Sequence, residues 1–222
     1  FITGLVLYAI LLWLVVISRR DLNRLTLLTG FLGFAWNAGA FAGYGLLNLG
    51  VTYPPTLLLA AAFGALCFLP SVVVHSALAG SETISRRMNR WIAVPAYLMS
   101  GTAAAMNFYS ALTTGTVPSQ VALRGVTVGF GFLMLVLLVV TRGEENRARI
   151  LWVAAMSIFA VSALHLSYHQ GHDPWWIQLA GHHASLPLVL LLLYQDFRFA
   201  LADIFLKRAL ALMLLAGLTF GA

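Results

Sequence analysis

The sequence predicts an all-α membrane protein, a bundle of seven transmembrane helices plus a partial eighth, with the N-terminus outside. Three observations predict this fold class. The 222 residues are 61% hydrophobic and only 9% charged, with a mean hydropathy of +0.90. Apolar runs of about the ~20 residues that cross a bilayer fill nearly the whole chain. The basic residues are concentrated in alternate short loops between these runs. A soluble globular domain is therefore excluded within these residues.

The predicted spans follow one another with short connections. An uncharged turn at 48–55 precedes the third span, and Pro54 and Pro55 suit the start of a helix. Pro70 is predicted to kink that span. The predicted spans are Phe1–Ser18, Leu25–Leu47, Thr56–Gly80, Trp91–Leu112, Ala122–Thr141, Ile150–Gln170 and His182 to about Tyr194 or Phe199, with the partial eighth at Leu210–Ala222.

The basic residues predict the orientation. The loops after spans one, three, five and seven carry lysine and arginine, whereas the alternate loops carry none apart from Arg124, just inside the fifth span. By the positive-inside rule the basic loops face the cytoplasm. The net charge of +6 is then a consequence of topology and not a sign of nucleic-acid binding. Because the sequence starts and stops inside predicted spans, we expect a single membrane domain, residues 1–222, of a longer protein.

Five of the six histidines lie in one stretch between the sixth and seventh spans. His165 and His169 are four residues apart and share one face of a helix. His172 follows in the loop, and His182 and His183 begin the next span. Because the two spans are antiparallel neighbours in this prediction, the five imidazoles are expected at one depth, on the outer face of the bilayer.

Neutral imidazole is the commonest protein ligand for transition metals, and it also ligates haem iron. A zinc or copper ion is predicted to be held by His165, His169, His172 and His182. A haem b is predicted to use His165, His169, His182 and His183. Two alternatives stay open, namely interfacial histidines that bond to water, headgroups and one another, and a pH-sensing cluster.

Polar residues within the spans form a second set of candidates. His75 lies one turn after Ser71 in the third span, towards its cytoplasmic end, and polar groups at such depth are costly and often functional. The alternative is a histidine that hydrogen-bonds to a neighbouring helix. Asn37 and Asn107 are predicted to form helix–helix hydrogen bonds, and Cys67 is predicted to be buried in packing.

The pair of motifs SxxxH (Ser71, His75) and HxxxH (His165, His169) resembles the seven-span zinc amidohydrolases of the alkaline ceramidase and adiponectin receptor type. This resemblance implies an integral-membrane zinc hydrolase, in which both motifs build one zinc site. The predicted topology instead separates the motifs by ~20–30 Å of bilayer, and an in-membrane carboxylate is missing. A b-type haem electron carrier is the other enzyme-class alternative.

The segment 194–208 is charged and amphipathic. Asp203 and Lys207 form an i,i+4 pair in the favourable order, and Lys207 and Arg208 can reach lipid phosphates. We interpret it as a cytoplasmic interfacial coupling segment, and the alternative is a topological anchor. The predicted coupling residues are Asp196, Arg198, Asp203, Lys207 and Arg208.

The run HHASLPLVLLLLYQDFRFALADIFLKRAL, from His182 to Leu210, resembles the end of the multi-span N-terminal sensor region of certain bacterial sensor histidine kinases. The resemblance implies a sensory input domain of two-component signalling in the bacterial inner membrane. It also implies homodimerisation through a kinase core that these residues do not contain. No catalytic residue is predicted in this chain, and the resemblance names no stimulus.

Overall fold

The computed structural model describes residues 2–17, 24–51, 55–79, 84–142, 188–190 and 193 of the chain. Every regular element in these ranges is α-helical, as predicted. Four of the five helices begin and end within two residues of the predicted bounds. The exception is the fourth helix along the chain, which begins five residues before its predicted start. The helices are α1 (Ile2–Ile17), α2 (Arg24–Asn48), α3 (Pro55–Ala79), α4 (Arg86–Thr113) and α5 (Gln120–Val140).

The early start of α4 corrects the sequence prediction, which placed a loop up to Arg90. Ser85 has an extended backbone (φ −60°, ψ 146°), and its hydroxyl accepts a hydrogen bond from the Met88 N–H at 3.2 Å. A serine in this position satisfies one of the free N–H groups of the first turn and therefore sets the start of the helix. Arg86, Arg87 and Arg90 consequently lie on the helix.

Successive helices pack side by side and run antiparallel. At each interface, residues later in one helix contact residues earlier in the next helix, which is the pattern of antiparallel packing. The pairs are Gly4 with Asn37 and Tyr8 with Gly33 for α1–α2, Trp36 with Phe63 and Gly43 with Leu59 for α2–α3, Cys67 with Asn107 and His75 with Tyr97 for α3–α4, and Met99 with Gly129 and Asn107 with Ser119 for α4–α5.

Two helices end in glycines that have left-handed backbone angles. After α2, Gly50 has φ +81°, and the Val51 N–H donates to the Leu46 carbonyl at 3.1 Å, which is the Schellman arrangement. After α4, Gly115 has φ +65°. A residue without a Cβ adopts this conformation at little cost, so both turns form where the uncharged stretches predict them.

The antiparallel order places the arginines unevenly along the bundle. Arg24, the three arginines of the first turns of α4, and Arg142 lie at one end, which we call the arginine end. Arg124, in the second turn of α5, lies towards the opposite end. The arginine end is the one that the sequence predicts to face the cytoplasm.

Three helical stretches in the described part of the chain are long and apolar enough to cross a membrane, which indicates a membrane protein. They are Arg24–Leu46, Pro55–Ser76 and Gln120–Val140. Helix α1 is apolar but has only 16 residues. Helix α4 has 28 residues, or ~42 Å at 1.5 Å per residue, and its lower hydropathy reflects the polar and small residues that it carries.

The largest core cluster lies among α1, α2 and α3, where Tyr8, Trp36 and Phe63 are almost completely buried. The described residues of the seventh predicted span, Leu188, Val189 and Leu193, are fully buried in the same cluster. A second cluster joins α3, α4 and α5. Pro70 is buried inside α3, and the helix continues on both sides of it, from Pro55 to Ala79.

Candidate functional site

The predicted histidine site and the predicted coupling residues lie outside the described residues. This applies to His165, His169, His172, His182, His183, Asp196, Arg198, Asp203, Lys207 and Arg208. The described part does contain the second predicted set, the polar residues within the spans. Four residues of this set, Cys67, Ser71, His75 and Asn107, assemble at one interface, between α3 and α4, whereas Asn37 lies elsewhere.

We call this interface the polar seam. On α3 its residues recur every four positions, so that they form one stripe along the helix. On α4 they face this stripe in the reverse order, as the antiparallel packing requires. The seam consists of Cys67, Ser71 and His75 on α3 and Tyr97, Ser100 and Asn107 on α4.

Two serines form the centre of the seam. The Ser100 hydroxyl donates to the Cys67 carbonyl at 2.7 Å, and the Ser71 and Ser100 oxygens are 2.7 Å apart. Because Ser100 uses its proton on Cys67, the Ser71 hydroxyl donates to Ser100. Both serines are fully buried. Buried hydroxyls of this kind are stable only while they are paired.

Asn107 lies at the end of the seam farther from the arginines. Its Nδ2 donates to the Cys67 Sγ at 3.7 Å, and its Oδ1 accepts from the Ser119 N–H at 2.9 Å. One fully buried amide therefore links α3, α4 and the turn that begins α5. The predictions that Asn107 bonds between helices and that Cys67 is buried are confirmed.

His75 and Tyr97 lie at the other end of the seam, near the arginine end. The His75 Nδ1 and the Tyr97 hydroxyl are 3.2 Å apart, and either can be the donor, depending on the imidazole tautomer. The rings meet edge to face, with centroids 5.7 Å apart at 85°. Both side chains are partly buried. The interpretation of His75 as a histidine bonded to a neighbouring helix is confirmed.

Ser71 and His75 share a helix face, but each has its own partner on α4. Ser71 bonds to Ser100, and His75 bonds to Tyr97. The two residues therefore do not form a hydrogen-bonded serine–histidine pair of the kind that activates a nucleophile. Within the described ranges, no group of three His, Cys, Asp or Glu side chains is placed to hold a metal ion.

The chemistry of the seam is the exchange of hydrogen bonds. Its hydroxyl, amide, thiol and imidazole groups can each donate, and most can also accept. In a low-dielectric interior such groups must remain paired, so a change at one pair alters its neighbours. The seam thus joins α3 and α4 through hydrogen bonds that depend on one another.

Asn37 departs from its predicted role. Its Nδ2 donates to the Gly33 carbonyl of its own helix at 2.8 Å, and its side chain packs against Gly4 of α1. The predicted bond between helices is therefore replaced by a bond within α2. A short amide can reach the carbonyl one turn earlier, and the glycine on α1 provides the space for it.

Sequence reasoning missed Tyr97 and Ser100 as seam residues. The signal was available on α3, where Cys67, Ser71 and His75 recur at four-residue intervals. A polar stripe within an apolar span needs polar partners, because interhelical hydrogen bonds are what such residues form in membranes. The hydroxyl groups of the next span were the natural candidates.

The described helices define a class of structure, an antiparallel helical membrane bundle whose third and fourth helices are joined by buried hydrogen bonds. Comparison of the chain with protein-family models, curated proteins and solved structures finds no match. The function of the chain is therefore inferred from its own residues and contacts.

Proposed function

We propose that this chain is the membrane-embedded sensory input domain of a bacterial sensor histidine kinase. In this proposal seven spans and a partial eighth cross the inner membrane, with the N-terminus outside. A ligand binds on the outer face, and the segment 194–208 transmits the resulting change to a cytoplasmic kinase core. The resemblance of residues 182–210 to the sensor regions of such kinases supports this assignment.

The observation that carries the proposal is the burial of the residues immediately before the coupling segment. Leu188, Val189 and Leu193 are each 0% exposed, within the core cluster of α1, α2 and α3. Close-packed interiors transmit displacement because they contain few voids. In this proposal a change in packing within the cluster is passed to Leu193, the residue before the segment 194–208.

The polar seam provides an interface that can change. A sensor needs two arrangements of nearly equal free energy, and a ligand shifts their ratio only by binding one of them more tightly. Exchangeable hydrogen bonds between α3 and α4 meet this requirement better than fixed apolar contacts do. α3 also contributes Phe63 and Leu66 to the cluster that contains Leu193, so a shift of α3 is coupled to that residue.

The proposed orientation can be tested by labelling single cysteines. Leu49, 80% exposed at the uncharged end, and Arg142, exposed at the arginine end, are each replaced by Cys. A membrane-impermeant maleimide should label Leu49→Cys but not Arg142→Cys in intact cells. The native Cys67 is fully buried and provides the unlabelled background. The opposite pattern would place the N-terminus inside.

The proposed ligand is a haem b or a zinc or copper ion held by histidines of the outer stretch. Purified protein should show a Soret band or contain bound metal, and the double variant His169→Ala/His182→Ala should lose it. His75→Phe is the matched control, because His75 bonds to Tyr97 on α4. Unchanged haem and metal content in the double variant would reject this site.

The proposed kinase output has a direct genetic test. In the natural gene, the codons after residue 222 should encode a dimerising segment with a phosphoacceptor histidine and an ATP-binding domain. The full protein should then form a homodimer and become phosphorylated on histidine when ATP is added. A stop codon or an unrelated domain after these residues would refute the kinase assignment and leave the membrane bundle intact.

A further inference from the structure

A groove lies along α4 at the arginine end and is separate from the polar seam. Its volume is about 520 Å³. The described residues that line it are Arg86, Arg87, Arg90, Trp91, Val94 and Pro95. They carry three positive charges and no negative charge. The groove is therefore a basic, partly apolar surface on a chain that has membrane-spanning helices.

Helical spacing explains how this groove forms. Two rows of side chains, each with a spacing of four residues, run next to each other along α4. One row contains Arg86, Arg90 and Val94, and the other contains Arg87, Trp91 and Pro95. Both rows change from guanidinium to apolar in the same direction, from the start of α4 towards the centre of the bundle.

The apolar part of the groove is exposed. Trp91 is 69% exposed and Val94 is 49% exposed, and Pro95 is also on the surface. The apolar side chains follow the guanidinium groups along α4 towards the membrane centre, so a ligand that is anionic at one end and apolar at the other matches both parts of the groove.

We propose that this groove binds an anionic phospholipid. The phosphate lies among Arg86, Arg87 and Arg90, and an acyl chain runs along Trp91, Val94 and Pro95. Guanidinium groups bind phosphate oxygens through paired N–H···O bonds, and a tryptophan at the membrane interface packs against the region between headgroup and chain. Charge and polarity of the groove both match this ligand, whereas a free phosphate would leave the apolar wall uncovered.

The test uses the full chain in vesicles that contain brominated phosphatidylglycerol or brominated phosphatidylcholine. Bromine quenches tryptophan fluorescence at contact distance. The Trp91 signal is obtained by subtracting the spectrum of Trp91→Phe from that of the unchanged chain. Trp91 should be quenched at lower mole fraction by the anionic lipid, with a preference of about tenfold or more. Equal quenching by the two lipids would overturn the proposal.

Two arginine variants separate a binding site from a general effect of charge. Arg86→Gln/Arg87→Gln/Arg90→Gln should abolish the preference, whereas Arg142→Gln removes a charge at the same end outside the lining residues and should keep it. Loss of the preference in Arg142→Gln would reduce the site to a surface charge effect and overturn the proposal.

The triple lysine variant, Arg86→Lys/Arg87→Lys/Arg90→Lys, keeps the charge that directs membrane insertion and removes only the guanidinium geometry. It should weaken the preference for the anionic lipid. If the glutamine variant fails to insert into the membrane, this lysine variant provides the test of the arginines. A full preference in the lysine variant would contradict the paired contacts. Competition by inorganic phosphate at millimolar concentration would show a free-anion site instead and would also overturn the lipid assignment.

Discussion

The two sides of α3 are packed in different ways. On the side of α2, glycines bring the helices close together, and no interhelical hydrogen bond is needed at those contacts. On the side of α4, polar side chains form the polar seam. Both interfaces join antiparallel helices of similar length, with 25 residues in α2 and 28 in α4. One face of α3 is therefore held by close approach of the helices and the other by buried hydrogen bonds.

The contact with α2 is limited by backbone and short side chains. A Cβ built on Gly39 would lie 2.8 Å from the Ala62 Cβ, 3.5 Å from its Cα and 3.6 Å from the Leu58 carbonyl oxygen. Small residues at four-residue spacing, here Gly39 and Gly43, are typical of close helix packing in membranes. At Gly39 the neighbouring atoms are a Cβ and backbone atoms, which cannot rotate away, whereas Gly43 faces the Leu59 side chain.

The contact with α4 depends instead on groups that rotate. The Ser71 hydroxyl donates to Ser100, which donates to the Cys67 carbonyl, and in the His75–Tyr97 pair donor and acceptor can exchange with the imidazole tautomer. In the proposed sensor, α2 and α3 would therefore move as a unit, and the change would occur between α3 and α4. This comparison predicts mutational effects of different sizes at the two interfaces.

Gly39→Ala should cause the largest loss of stability, about 1–3 kcal/mol, because overpacking at a contact between backbones cannot be relieved by a rotamer change. Gly45→Ala, in the same helix, is the matched control. Nothing lies within 4 Å of a Cβ at Gly45, so that variant should be neutral or slightly stabilising. Reversible unfolding in mixed micelles measures both. Equal stabilities of the two variants would mean that α2 and α3 are not held by close approach.

Ser100→Ala should have an intermediate effect, about 1 kcal/mol, because it removes the bond to the Cys67 carbonyl and the acceptor for Ser71. Thr102→Ala is the control on the same helix, since its hydroxyl is exposed and bonds only to the Leu98 carbonyl one turn away. That variant should change stability by less than about 0.5 kcal/mol.

A double-mutant cycle with Ser71→Ala sharpens this result. The coupling free energy between Ser71 and Ser100 should be about 0.6 kcal/mol, the average for interhelical hydrogen bonds in membranes. A coupling of zero, with both single variants stable, would show that the serines do not hold α3 and α4 together.

Hydropathy predicts the five helices well but not the start of α4. Arg86, Arg87 and Arg90 mark the end of the apolar run, and charge alone does not distinguish a loop from a helical turn at the membrane surface. The cap at Ser85 determines that the helix begins at Arg86, and the cap depends on the extended backbone angles of that one serine. The groove along α4 follows from that difference, because its two rows of side chains exist only if the arginines are helical.

The polar seam was predictable in part. Ser71, His75 and Asn107 were identified because polar residues stand out in an apolar run, whereas Cys67 was predicted only to be buried in packing. Their partners depend on which helices are neighbours and on the register between them, which hydropathy does not contain. Asn37 illustrates the limit, since the same residue type can bond across an interface or back to its own helix, and the local glycines decide between the two.

Tyr97→Phe should have the smallest effect on stability, below about 0.6 kcal/mol, because the bond to His75 lies at the partly buried end of the seam, where water can replace it. Tyr109→Phe is the control, since Tyr109 is 70% exposed on the same helix.

The informative measurement is the nitrogen NMR spectrum of His75. In the unchanged chain the Tyr97 hydroxyl should favour one imidazole tautomer, and Tyr97→Phe should give a mixture, whereas Tyr109→Phe should not. A His75 spectrum that is identical in all three proteins would show that the pair exerts no control over the imidazole. The adjustable side of α3 would then be reduced to the two serines and Asn107.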